Sequence, residues 1–233
     1  MPTLKIIGTS GFTPFPSKTA KLFTSCRFYF GNKSLQIDIG NKYTGSSVDY
    51  LLLSHTHYDH IQEIESLPEG VQILIPSLTF REVLEKKDIR AEIRVFKTKI
   101  QLDGMWLEAF PVLHSSTSLT YGFRLSWKDK ILIWVPDWFI IPSYPEIFRN
   151  VDYLFLGAAA MKKDIKHAGY GHGQGAIYPM LEKISKMKNP PKLIYLIHFG
   201  MGIRPIVLKT KFLQRQFSSL NIDWTWDGRE IKL

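Results

Sequence analysis

Cysteine is nearly absent. Cys26 is the one thiol in 233 residues, which excludes an intrachain disulfide and removes any thiolate cage for a metal, leaving nitrogen and oxygen as the available ligands. No stretch reaches the roughly 18 apolar residues of a membrane-crossing helix, and Met1-Pro2-Thr3-Leu4-Lys5 opens without the apolar segment of a signal peptide, so a soluble cytoplasmic chain with no membrane partner is expected. Internal repeats, low-complexity tracts and linkers are missing too. Residues 1–233 are therefore expected to form one domain, long enough to bury roughly 70% of the unfolded surface. Acidic residues fall short of basic ones, 21 against 30, giving a formal charge of +9. That excess favours anionic partners, of which nucleic acid is the commonest. The lysines are scattered, however, and such a charge-rich, cysteine-poor surface also suits a heat-stable protein.

What the chain does have is Leu51-Leu52-Leu53-Ser54-His55-Thr56-His57-Tyr58-Asp59-His60, an apolar strand running into three histidines and an aspartate. Imidazole and carboxylate suit a borderline divalent ion such as zinc. Strand alternation would deliver His55 and His57 to one side, with Asp59 and His60 following on the turn. Asp38, at the end of the run Leu35-Gln36-Ile37, is costly to bury unless it is paired, so it is expected to orient a backbone or a ligand histidine.

Around this stretch the chain alternates between short strands and helices. Strands are expected at 4–7, 27–30, 35–39, 71–75, 92–96, 105–110, 121–125, 131–135, 153–156 and 193–197, with a short one near Trp224. Helices are expected over 61–67, from the N-cap Ser77 to Lys87, over 176–188 and over 206–218, and a Gly/His loop over 167–175. Two mixed halves of this kind can pack sheet against sheet with helices outside, which sets the strand-end loops of both along one edge. His114 follows Phe110-Pro111-Val112-Leu113, Asp137 follows the strand 131–135, and His198 follows Leu193 to Ile197. All three stand at strand ends, where sites in layered folds concentrate.

His55-Thr56-His57-Tyr58-Asp59-His60 with a later His114, Asp137 and His198 resembles the metallo-β-lactamase superfamily over nearly the whole chain. The resemblance implies a four-layer αβ/βα sandwich (α/β) and a dinuclear site at one edge. His55, His57 and His114 would hold one metal, Asp59, His60 and His198 the other, and Asp137 would bridge them. Two divalent ions are implied, zinc first, with manganese and iron served by the same donors. Gly8-Thr9-Ser10-Gly11, Pro111 to Ser116 and His198-Phe199-Gly200 resemble the tRNase Z branch and its cyclic-phosphate phosphodiesterase relatives. Gly171-His172-Gly173 resembles the segment whose histidine handles protons and phosphate there. The implied activity is hydrolysis of a phosphodiester, RNA or a cyclic nucleotide being the anions it fits, with Asp59 and His172 as catalytic groups, His167 as a weaker proton donor and a homodimer left open.

The sequence also departs from that branch. Gly157-Ala158-Ala159-Ala160 stands where an acidic residue is usual, Asp137 lies in Pro136-Asp137-Trp138, and no insertion matches the tRNA-gripping arm. A lactonase or thioesterase would use the same centre with an apolar pocket, for which Phe12, Phe15, Trp138, Phe139 and Tyr144 are candidates. A basic nucleic-acid-binding protein without turnover is the third reading.

Overall fold

A computed structural model describes residues 2–11, 21–40, 48–167, 172–200 and 205–233, the side chains of 165–167 and 172 excepted. Its first sheet opens with β1 (Thr3–Gly8), β2 (Ser25–Phe30), β3 (Lys33–Ile37), β4 (Tyr50–Leu52), β5 (Gln72–Ile75) and β6 (Glu92–Val95). The second contains β7 (Lys99–Leu102), β8 (Met105–Val112), β9 (Thr120–Trp127), β10 (Lys130–Val135) and β11 (Tyr153–Gly157). A two-stranded ribbon of β12 (Ile165–His167) and β13 (His172–Gln174) follows. β14 (Leu193–Ile197) and β15 (Ile222–Trp224) then complete the second sheet, and β16 (Glu230–Lys232) returns to pair with β1. The strand orders are β16-β1-β2-β3-β4-β5-β6 and β15-β14-β11-β10-β9-β8-β7.

The apolar runs that mark the central strands are buried on both faces, as strands between two layers must be. In β4 and just beyond it, Leu52 points between the sheets while Leu51 and Leu53 face outward. Along β10, β11 and β14, Trp134, Phe155 and Tyr195 face inward and stack with centroids 5.4 and 4.8 Å apart. Ile133, Leu154 and Leu196 face the outer core. Helices α1 (Tyr58–Ile61) and α2 (Leu78–Leu84) lie outside the first sheet, and Ser77 caps α2 by accepting from Thr79 N. Helices α3 (Ile177–Ser185) and α4 (Ile206–Gln216) cover the second. The result is the expected four-layer αβ/βα sandwich.

Three expectations are corrected. Residues 61–67 are not one helix: α1 ends at Ile61 and a 3-10 turn spans Ile64–Ser66. The backbone of Ile39 breaks it, donating to His60 O and accepting from Glu63 N. The edge strands β7 and β16 were not expected, being short and half-charged, although Asp103-Gly104 between β7 and β8 is a turn with both φ positive, 43° and 84°. Within 167–175, His167 and the strand His172–Gln174 belong to the ribbon, with His167 and His172 in register, while 168–171 lie outside the described residues. No helix among the described residues is long and apolar enough to cross a membrane.

The topology fixes one edge for chemistry. β3, β4 and β5 are mutually parallel, as are β10, β11 and β14, while β8 is antiparallel to β9 and β9 to β10. Asp38, His55, His114, Asp137 and His198 each follow the C-terminal end of one of these strands.

Candidate metal centre

The strand-end segments bring together all seven residues singled out as ligands. Three overlapping groups have one nitrogen or oxygen each within 4.8 Å of the others: His55, His57 and His114; Asp59, His60 and His198; and His55, His60 and Asp137. Asp137 lies between the first two. Its Oδ1 is 2.9 Å from His198 Nε2 and 3.7 Å from His114 Nε2, and its Oδ2 is 3.0 Å from His60 Nε2. β4 stops at Leu52, so strand alternation does not place His55 beside His57. The extended backbone at His57 (φ −66°, ψ 150°) does, just before α1 turns Asp59 and His60 inward.

The surrounding hydrogen bonds fix which ring nitrogen carries the proton. Ser54 Oγ donates to Asp38 Oδ2 at 2.8 Å and so accepts from His55 Nδ1 at 2.9 Å. Thr24 Oγ1 donates to Ser10 O and accepts from His198 Nδ1 at 2.8 Å. His60 Nδ1 donates to Asp38 Oδ2, and His114 Nδ1 to Gly173 O, both at 2.8 Å. In their neutral forms all four rings therefore turn an unprotonated Nε2 toward Asp137 or the cluster around it. Such outer partners are how proteins orient imidazole ligands.

This arrangement is costly without a cation. His55 Nε2 and His57 Nδ1 stand 3.0 Å apart, where either a proton on His57 Nδ1 or an ion can join them. His60 Nε2 and Asp137 Oδ2 are fully buried and make no hydrogen bond although they are 3.0 Å apart. Lone pairs that face one another in a dry site need a proton or a metal ion between them. The donor set fits divalent metal on that ground.

Electrostatics divides the first two groups. Burial holds His55 well below the ordinary histidine range, lowers His114, and takes His57 down to about 4. Burial opposes charge on His60 as well, but Asp59 and Asp38 outweigh it and hold this imidazole well above the usual value. Burial would likewise raise Asp137, yet His198 and His114 keep its carboxyl well below the carboxylate range. Metal must therefore displace a proton at His60 but not at His55, His57 or His114. As the pH falls, any metal held by the Asp59–His60–His198 group is expected to leave before metal held by the other group, because His60 takes up a proton more readily than His55, His57 or His114. Zinc titrations at stepped pH check this, and simultaneous release would contradict it.

Three further residues, none of them a candidate ligand, support the centre. Gln174 is buried and its Nε2 donates to Asp137 Oδ1. Thr24 orients His198, and Ser54 links Asp38 to His55. Adjacency to Gly171-His172-Gly173 was the one pointer to Gln174. Gly11 abuts His198, where a Cβ would lie 2.8 Å from Nε2, so the Gly8-Thr9-Ser10-Gly11 segment shapes this side of the centre. The side chains of His167 and His172 lie outside the described residues. The backbone next to His172 does reach the centre, through the pair Gly173 N to His114 O.

Two of the five candidate pocket aromatics pack elsewhere. Trp138 is buried, with Nε1 donating to Gly157 O at 3.0 Å and its ring where a Cβ on Gly175 would fall. Tyr144 packs against Phe148 in the outer core. Phe12 and Phe15 are outside the described residues.

Residues 32–199, a span holding all seven residues, match the family model of the beta-lactamase superfamily domain. No curated protein matches the chain in sequence. Among solved structures, the metallo-beta-lactamase fold protein YhfI from Bacillus subtilis superposes with a TM-score of 0.77 at 16% identity, covering 99% of this chain and 98% of that one. A diphosphatase from the PhnP family gives 0.75 at 19%, covering 100% and 98%. The short form of human tRNase Z gives 0.67 at 13%, covering 99% and 98%. An isothiocyanate hydrolase and a diiron β-hydroxylase share the architecture as well. Identities this low speak for the fold.

Proposed function

The chain belongs to the beta-lactamase superfamily domain family, and from that membership we propose that it is a metal-dependent hydrolase that cuts a phosphodiester with two divalent ions. The observation that carries this reading is the meeting of two donor groups at one buried carboxylate, Asp137. His55, His57 and His114 would hold one ion and Asp59, His60 and His198 the other, with Asp137 available to both. Zinc suits these nitrogen and oxygen donors, and manganese or iron would serve the same set. When bound, the ions supply Lewis acidity toward the phosphoryl oxygens and bring the pKa of a coordinated water to about 7.

The protein's own groups do the rest. Asp38 and Ser54 hold His60 and His55 in their orientations, and Gln174 holds Asp137. Asp59, close to His60, accepts the proton of the attacking water. His172, on the strand whose neighbour Gly173 is bonded to His114, protonates the leaving oxygen. Phosphoester chemistry draws further support from the superposing diphosphatase and tRNase Z. The complete donor set argues against a protein that only binds nucleic acid.

A metal-replete panel of p-nitrophenyl phosphodiesters, 2′,3′-cyclic nucleotides, lactones and thioesters tests the reading. Turnover is expected on the diesters. Turnover confined to lactones or thioesters would replace it with the carboxyl-ester alternative.

A further inference from the structure

Building on the phosphodiesterase reading, we infer that the mouth of this centre receives an apolar, preferably aromatic, ester group, so that the substrate is a small diester and not a polynucleotide. Four large hydrophobic side chains stand exposed in the segments that carry the candidate ligands. Tyr58 (61% exposed) sits between His57 and Asp59, and Leu113 (53%) immediately precedes His114. Leu119 (51%) ends the loop after His114, and Ile140 (49%) lies three residues beyond Asp137. Hydrogen bonds draw these segments together. Thr56 Oγ1 and Ser118 Oγ are 3.1 Å apart, which sets the 115–119 loop against the histidine motif. Phe139 N and Ile140 N both donate to Leu113 O, which pairs Ile140 with Leu113. Exposed apolar groups gathered at a site, unlike ones scattered over a surface, mark what the site binds.

Charge points the same way. Segments 54–60, 113–119 and 137–141, which carry the four exposed apolar residues, contain no lysine or arginine in a chain of formal charge +9, whereas Lys21 precedes Thr24 and Arg204 follows His198 in the segments on the other side of the centre. A polynucleotide needs a track of cations along its phosphates. A cationic cleft lined by Arg149, Lys183, Lys186 and Lys188 lies where β11 and β14 begin, at the edge opposite the metal centre. Lys162, the first cation beyond 157–161, stands over the rings of Phe212 and Tyr178 at 5.7 and 5.9 Å.

The test compares bis(p-nitrophenyl) phosphate with methyl p-nitrophenyl phosphate, which share a leaving group and differ in the group that stays. After correction for the uncatalysed rates, the metal-replete protein is expected to prefer the aryl ester by about tenfold or more in kcat/KM, mostly through KM. In a Leu113→Ser/Leu119→Ser/Ile140→Ser variant, altered only at half-exposed positions, the preference should fall to about threefold or less. A single-stranded RNA oligomer should not compete at micromolar concentration. Equal use of both esters by the parent protein, an undiminished preference in the triple variant, or tight competition by the oligomer would overturn the inference while leaving the phosphodiesterase reading in place. No turnover of either ester would overturn that reading, and this one with it.

Discussion

Asp137→Ala is expected to abolish turnover of bis(p-nitrophenyl) phosphate and strip metal from both donor groups, while the far-ultraviolet circular dichroism stays native. The carboxylate is within 3.0 Å of ring nitrogens on His60 and His198 and 3.7 Å from His114, so it belongs to both halves at once. Losing an outer-shell partner costs metal sites roughly 10–100-fold in affinity or activity. Removing the group common to both sites should exceed that range for each. The fold should survive because alanine opens a small space at the strand-end edge and leaves the apolar core between the sheets untouched. Gln174 would then lose the acceptor of its Nε2, a cost of about 1–3 kcal/mol unless water enters. Near-normal metal content in the variant would remove Asp137 from the centre.

Gly157→Ala is the second change of large expected effect, and it acts through packing. A Cβ on Gly157 would lie 1.9 Å from Pro136 O, a backbone atom that cannot swing aside like a side chain. Either β11 separates from β10 or the Pro136-Asp137-Trp138 turn moves, and Asp137 with it. Overpacking of this kind costs about 3 kcal/mol or more, and the melting temperature should fall by roughly 10 °C. The residue that seemed a departure in sequence is thus explained locally. Gly157 lets the turn after β10 approach β11, its carbonyl accepts from Trp138 Nε1, and Gly175 makes room for that indole. A variant that melts with the parent protein would show that the turn is free to move.

The seven candidate ligands were legible for a physical reason. Four of them lie in six consecutive residues. Asp137 and His198 each close an apolar run dense enough to be a doubly buried strand, His114 closes a half-buried one, and the polar residue that ends such a run cannot lie far from the sheet edge. The sandwich was legible from the same runs. Gln174 was not, because its role depends on Asp137, 37 residues away, and a buried glutamine in a glycine-rich segment has no pattern of its own. Thr24 was hidden likewise, its partner His198 being 174 residues distant. The ribbon of β12 and β13 escaped notice because Gly171-His172-Gly173 reads locally as turn, whereas its pairing depends on contacts with His114 and Trp138. The exposed Tyr58, Leu113, Leu119 and Ile140 could be told from ordinary core residues only once their neighbours had turned inward.

Counting metal in zinc-loaded protein freed of loose ion tests the central claim most directly. Two ions per chain are expected in the parent protein and one in Asp59→Ala/His60→Ala, which removes two of three donors from one group and leaves His55, His57 and His114 intact. A parent protein that holds one ion or none, or a double variant that still holds two, would contradict that claim.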